Sequence, residues 1–159
     1  MSVDVIREGS LQDLETIVAF NAALAEESEG LTPDRSTLTE GVKALLEDPA
    51  KGRYYLAEVD GSVVGQLAVT FEWSDWRNGM FLWLQSVYIA AEHRRKGVFT
   101  SLYRHVEQLA SRPGYCGIRL YVHDENETAR ATYLRRGMVS SGYEVLETPD
   151  ALKDDPVTP

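Results

Sequence analysis

The stretch VYIAAEHRRKGVFTSLY, residues 87–103, runs from an apolar, β-branched segment through Arg94, Arg95 and Lys96 to a glycine. Beyond Phe99 the apolar residues Leu102, Tyr103, Val106, Leu109 and Ala110 fall on one helical face. The stretch therefore predicts a strand that hands over to a helix at Gly97. A helix N-terminus leaves backbone N–H groups without intrahelical partners, and its dipole favours an anion there. Gly97 lets the backbone approach that anion with no Cβ in the way, and the three side chains add positive charge beside it. On the residues alone the cluster is either a solvated charge run or a phosphate-binding corner. A Walker loop needs a second glycine and a Lys-Ser/Thr pair, and a dinucleotide fingerprint needs Gly-x-Gly-x-x-Gly; RRKGVFTS contains neither.

On either side of this junction the chain alternates strands and helices. Val3 and Val5 alternate with polar neighbours in a short first strand, and Ser10 with Asp13 has the spacing of a capping box. Leu11, Leu14, Ile17, Val18 and Leu24 then give a helical stripe, and Leu38, Val42, Leu45 and Leu46 give a second one closed by Pro49. RYYLAEV and SVVGQLAVTFEW flank Asp60-Gly61, a strong hairpin signal. A turn at residues 77–79 leads into MFLWLQSVYIA. After the junction helix, CGIRLYVH alternates as a strand, and NETARATYLRRGM has helical composition, capped by Asp124 or Asn126 and stopped by Gly137. SSGYEVLE is expected to form a last strand. The order β-α-α-β-β-β-α-β-α-β predicts an α/β fold with a mixed central sheet flanked by helices.

At 159 residues the chain is expected to form one domain over residues 1–148, with a Pro- and Asp-rich tail over 149–159 expected to be flexible. A formal net charge of −9 argues against nonspecific binding to nucleic acid or an anionic membrane. Cys116 is the only cysteine, which excludes an intrachain disulfide and the spacing of a zinc site. No metal is expected. The N-terminus lacks an apolar signal core and no apolar run approaches the roughly 20 residues of a membrane span, so a cytoplasmic location is the expectation.

RRKGVF resembles the signature [Gln/Arg]-x-x-Gly-x-[Gly/Ala] of the GNAT superfamily of N-acetyltransferases. Phe99 departs from it, standing where that family prefers glycine or alanine. A side chain of this size must turn into the core or crowd the phosphate. VYIAAEHRRKGV is similar to the family's strand and loop, and Asn126, Ala129, Tyr133, Gly137 and Met138 fall at the places of its later helix. The likeness extends from Val3 to about Glu147. It implies acetyl-coenzyme A as acyl donor, with its pyrophosphate cradled by residues 94–100: Arg94, Arg95, Lys96, Gly97, Val98, Phe99 and Thr100. It also implies that the main chain of Val87 and Ile89 binds the pantetheine arm where two parallel strands splay after a bulge, with an N–H near Val87 facing the thioester carbonyl.

Tyr133 alone reads as a helix-face aromatic packed in the core. The resemblance makes it the acid for the departing thiolate, or the group that orients the thiol, and places Asn126 beside the cofactor as well as at a cap. A general base is not evident. Glu72, Asp75 and His123 are candidates, each also readable as a surface residue, and Gln85 cannot take a proton. Trp73, Trp76 and Trp83 suit an acceptor pocket, the core or a dimer contact. Cys116 reads as a small buried residue, and His93 and His105 as loop and helix-surface residues. The implied activity is transfer of an acetyl group to a primary amine of a small molecule or protein in a ternary complex. A non-catalytic acyl-coenzyme A sensor and a binding domain without coenzyme affinity are the alternatives, and a homodimer is left open.

Overall fold

Ser10 starts the helical part of the chain. Its hydroxyl accepts from Gln12 N, while the Asp13 carboxylate accepts from Ser10 N at 2.8 Å, so the expected capping box is formed. Arg7 grips the same carboxylate with two bonds of 2.7 and 2.9 Å and adds a third to Glu58, tying the first strand to the first helix. The Arg7 guanidinium holds Asp13 below the usual carboxylate range, despite burial that works the other way.

The computed structural model describes residues 3–148. They form two units, one ending at Tyr121 and one starting at Val122. The first holds β1 (Val5–Glu8), α1 (Leu14–Glu29), α2 (Arg35–Glu47), β2 (Arg53–Val59), β3 (Ser62–Ser74), β4 (Gly79–Ile89), α3 (Val98–Ala110) and β5 (Tyr115–Arg119). The second holds α4 (Glu127–Arg135). The strands lie side by side in chain order, antiparallel from β1 to β4, and β5 joins β4 parallel because α3 carries the chain back across the sheet. This is the mixed α/β architecture expected.

Successive strand residues face opposite ways. Tyr54 and Leu56 of β2 and Ala68 of β3 turn to one face, where they bury Ile17 and Val18 of α1 and Val42 of α2. Tyr55 turns to the other and stacks on His105 of α3, with ring centroids 4.7 Å apart. The start of α3 comes so close to the sheet that a Cβ on Gly65 would stand 2.7 Å from Ile89 Cδ1 and 3.0 Å from Val98 Cγ1. A side chain there would force Ile89 to shift. Among the described residues no helix is long and apolar enough to cross a membrane.

Up to α4 the order of elements is as expected. The closing strand anticipated over SSGYEVLE is a correction: residues 139–148 form neither strand nor helix, and Tyr143, Val145 and Leu146 are exposed. Alternating apolar residues make a strand only beside a backbone that takes up their N–H and C=O groups, and no described strand pairs with this segment. β5 also ends earlier than the alternation of CGIRLYVH suggests. The expected flexible tail, 149–159, lies outside the described residues.

Candidate active site

The site begins with a break in register. Ala68 of β3 pairs with Gln85 of β4, but Gln66 pairs with Tyr88, so β4 holds one more residue than β3 over this interval. Ser86 takes up the excess in a left-handed conformation, φ +51°. A non-glycine residue there costs roughly 1–2 kcal/mol, and such strain gathers at functional sites. This is the expected bulge. On the other edge, β4 pairs with β5 only from Met80 to Trp83, opposite Arg119. From Leu84 onward β4 has no β5 partner, and Val87 and Ile89 lie on this stretch, half-buried.

The end of β4 leads to the loop before α3. Arg95 (φ +60°) and Gly97 (φ +84°) are both left-handed, which curls the loop before α3. Gly97 is the N-cap of α3 and has no side chain to cap it, and a bond runs from Ser101 N to Gly97 O at 3.0 Å. The amides of Val98, Phe99 and Thr100 therefore precede the helical ladder. Val98 is buried and Thr100 half-buried. The Phe99 ring packs on Tyr103 one turn along, centroids 5.7 Å apart. It turns along the helix, as its place in the apolar stripe suggests.

Arg94 differs from its neighbours in direction. Its Nε donates to Ile89 O at 2.9 Å, its Nη2 pairs with Glu27 at the end of α1, and it lies over the Tyr88 ring. Tyr88 in turn donates to Glu27 at 3.0 Å and stacks on Phe20 of α1. Arg95 and Lys96 are exposed.

On the α1/α2 face, β3 and β4 present a polar strip beside the bulge. Gln85 Nε2 donates to Thr70 Oγ1 at 2.7 Å. Glu72 accepts from Trp83 Nε1 on one oxygen and from Arg119 Nη1 on the other, each at 2.6 Å. Arg119 lies 3.8 Å over the Phe81 ring, and Trp83 packs on Tyr121. Both oxygens of Glu72 are thus engaged by donors, one of them a cation, which is poor preparation for a base. Asp75 sits in the exposed hairpin turn and accepts from Trp76 N at 2.8 Å. Trp73 and Trp76 are 57% and 86% exposed, so neither packs in the core. Cys116 is half-buried at the foot of β5.

In the second unit, Asn126 caps α4 by accepting from Ala129 N at 3.0 Å. Tyr133 lies two turns on, half-buried, and its carbonyl accepts from Arg136 N and Met138 N as Gly137 (φ +85°) ends the helix. His123 is exposed and accepts from Glu125 N. The residues expected to bind a cofactor thus fall in two groups: Val87, Ile89 and 94–100 along one continuous path in the first unit, and Asn126 with Tyr133 on one helix of the second.

Sequence reasoning missed the polar cluster behind the bulge. Gln66 is fully buried, and its Nε2 donates to Ser86 O at 3.2 Å and to Asn21 Oδ1 at 2.7 Å. Asn21 Nδ2 donates to Tyr54 OH at 2.9 Å. Burial pushes the Tyr54 phenol up, with Asn21 and Ser86 pulling the other way. The one available signal was a glutamine inside the apolar run VVGQLAV.

Residues 18–138 match the model of the Acetyltransferase (GNAT) family. The crystal structure of a protein described as a possible acetyltransferase from Clostridium difficile 630 is 46% identical, with a TM-score of 0.87 over 92% of this chain and 97% of that one. The ribosomal-protein-alanine N-acetyltransferase of Brucella melitensis biovar Abortus 2308 shares the fold at 20% identity, TM-score 0.75, over 92% and 99% of the two chains. So does an aminoglycoside acetyltransferase from an uncultured soil metagenomic sample, at 22% identity and TM-score 0.65, over 99% and 100%. No curated protein matches the chain.

Proposed function

The chain belongs to the GNAT acetyltransferase family, and from that membership we propose that it transfers an acetyl group from acetyl-coenzyme A to a primary amine by direct attack in a ternary complex. The observation that carries this reading is the path along β4. A strand loses its parallel neighbour after Trp83, bulges at Ser86, and ends beside a curled loop and a helix start with glycine at the N-cap. An extended, amide-bearing arm ending in a diphosphate fits that sequence of features: open backbone groups first, then helix-start amides and cations.

Bound there, the coenzyme supplies an acetyl group activated as a thioester. Val87 and Ile89 bond the arm through their main chain, and Gly97 to Thr100 hold the diphosphate, with Arg95 and Lys96 supplying charge. Arg94 acts as a strut between α1 and the end of β4 rather than as a first phosphate ligand. The Val87 N–H faces the thioester carbonyl and stabilises the charge that grows on its oxygen. The neutral amine forms the new C–N bond as the C–S bond breaks; the amine gives up one proton to water and Tyr133 protonates the departing sulfur. Tyr133 then recovers its proton from solvent. Gln85 and Thr70 border the acceptor side, and water serves as proton acceptor because Glu72 is tied to Arg119 and Trp83.

A panel of small amines and peptides, assayed for released thiol with acetyl-coenzyme A, tests the proposal. Amine-dependent thiol release supports it. Coenzyme binding without release on any amine identifies a sensor instead.

A further inference from the structure

Four polar side chains from four elements meet behind the bulge, in a layer otherwise built from Ile17, Val18, Leu56 and Ala68. The arrangement is uphill for the fold. Gln66 Oε1 is buried with no hydrogen-bond partner among the described residues, a cost of about 1–3 kcal/mol. Ser86 adds its left-handed strain. A leucine at position 66 would avoid the first cost, so the amide must do something that leucine cannot.

Its Nε2 holds one particular atom, the carbonyl oxygen of Ser86. The orientation of the amide is fixed by its partners, since Ser86 O and Asn21 Oδ1 both accept and only an N–H can face them. No described peptide bond is cis. In a trans unit the C=O and the following N–H point in opposite directions. The bond that draws Ser86 O toward Gln66 on β3 therefore turns the Val87 N–H away from β3, to the side where β5 no longer pairs with β4 beyond Trp83.

We infer that Gln66 is a positioning residue for acyl transfer: its amide locks the Ser86–Val87 peptide plane so that the Val87 N–H is aimed at the acyl carbonyl. Asn21 and Tyr54 hold Gln66 in turn. This rests on the proposal that Val87 supplies the donor to that carbonyl. Without the side-chain bond, a peptide plane at a strained position rotates, and the donor loses its aim while Ile89 and the residues that hold the diphosphate stay in place.

The test uses the full chain and acetyl-coenzyme A carrying carbon-13 at the thioester carbonyl. Difference infrared spectroscopy reads the carbonyl stretch of the bound thioester, which falls when an N–H donates to the oxygen. In the wild type the stretch is expected below its value in solution; in Gln66→Met, which keeps the length and loses the N–H, it returns toward the solution value. Asn21→Ala, a change at a half-buried position, is expected to act in the same direction and serves if Gln66→Met does not fold. Turnover should fall about tenfold to a hundredfold, as when an oxyanion donor is impaired, with coenzyme affinity held within about twofold. A folded variant whose bound carbonyl keeps the wild-type frequency overturns the inference, whatever turnover does. A wild type that binds acetyl-coenzyme A but acetylates no amine sinks the transferase reading alone, because the carbonyl still reports the aim of Val87. A wild type that does not bind acetyl-coenzyme A sinks both.

Discussion

Glu27, near the end of α1, holds the guanidinium of Arg94 across 67 positions of sequence, and the same carboxylate accepts from Tyr88. The first cation of the RRK cluster is thereby turned back toward α1, with α2 and the strands β2 to β4 lying between them in the chain. The Glu27 carboxylate raises the Arg94 pKa further, so the guanidinium is charged at any accessible pH.

On the proposed reading this splits the cluster into a strut and two phosphate ligands. Arg94→Ala is expected to weaken coenzyme A binding less than Arg95→Ala/Lys96→Ala does, and to cost the fold about 0–1 kcal/mol, the range of an exposed ion pair. Calorimetric titration with coenzyme A orders the variants. An Arg94→Ala loss larger than that of the double variant returns Arg94 to the phosphate.

Gly97 stands at φ +84° with no atom near its missing Cβ, so space does not forbid a side chain there but the backbone does. Gly97→Val must carry about 1–2 kcal/mol of left-handed strain or straighten the corner. The expected result is a lower melting temperature together with coenzyme A affinity reduced about tenfold, the equivalent of that strain. Undiminished affinity would separate Gly97 from phosphate binding.

For Tyr133 the prediction concerns which constant moves. Tyr133→Phe should lower kcat about a hundredfold, the lower reach of general-acid catalysis, while the coenzyme dissociation constant stays unchanged. An unaltered single-turnover rate would remove the phenol from proton transfer.

Glu72 makes the opposite case. Since Arg119 and Trp83 occupy both its oxygens, Glu72→Gln should leave the acid limb of the kcat/KM pH profile where it was. It should instead destabilise the protein by about 1 kcal/mol, because Arg119 loses its charged partner. Loss of the acid limb in this variant would make Glu72 the base.

Burial against Tyr55, and secondarily the charge of Arg112, push His105 below the ordinary histidine value. The unfolded chain then binds more protons than the folded one in the window between the two values. Stability is expected to be full above about pH 6.5 and to fall as the pH drops through the folded value. Urea midpoints measured from pH 8 downward should show this slope, and His105→Gln should flatten it. Equal slopes in both proteins would assign the acid sensitivity elsewhere.

What could be read along the chain was what neighbours in sequence decide. The capping box at Ser10 and Asp13 spans three positions, the Asp60-Gly61 turn two, and the Asn126 cap three; each was legible because the partners lie within one turn of chain. The corner at Gly97 was legible for the same reason. The closing strand failed because alternation at Tyr143 and Val145 describes a strand's chemistry without supplying a neighbour for it. Nothing along the chain sets Arg94 apart from Arg95 and Lys96, because its partner Glu27 lies on a distant helix. Gln66 was visible as an oddity, but its partners at positions 21 and 86 meet it only in the folded sheet.

The parting of β4 from β5 after Trp83 gives the sheet a seam between these two strands. Whatever lies in that seam becomes part of the ladder, so occupancy and folding are thermodynamically linked. A ligand at a hundred times its dissociation constant would add about 2.7 kcal/mol to the stability of the chain. The melting point should therefore track the ligand's concentration, and an empty protein would be the form most exposed to unfolding and proteolysis.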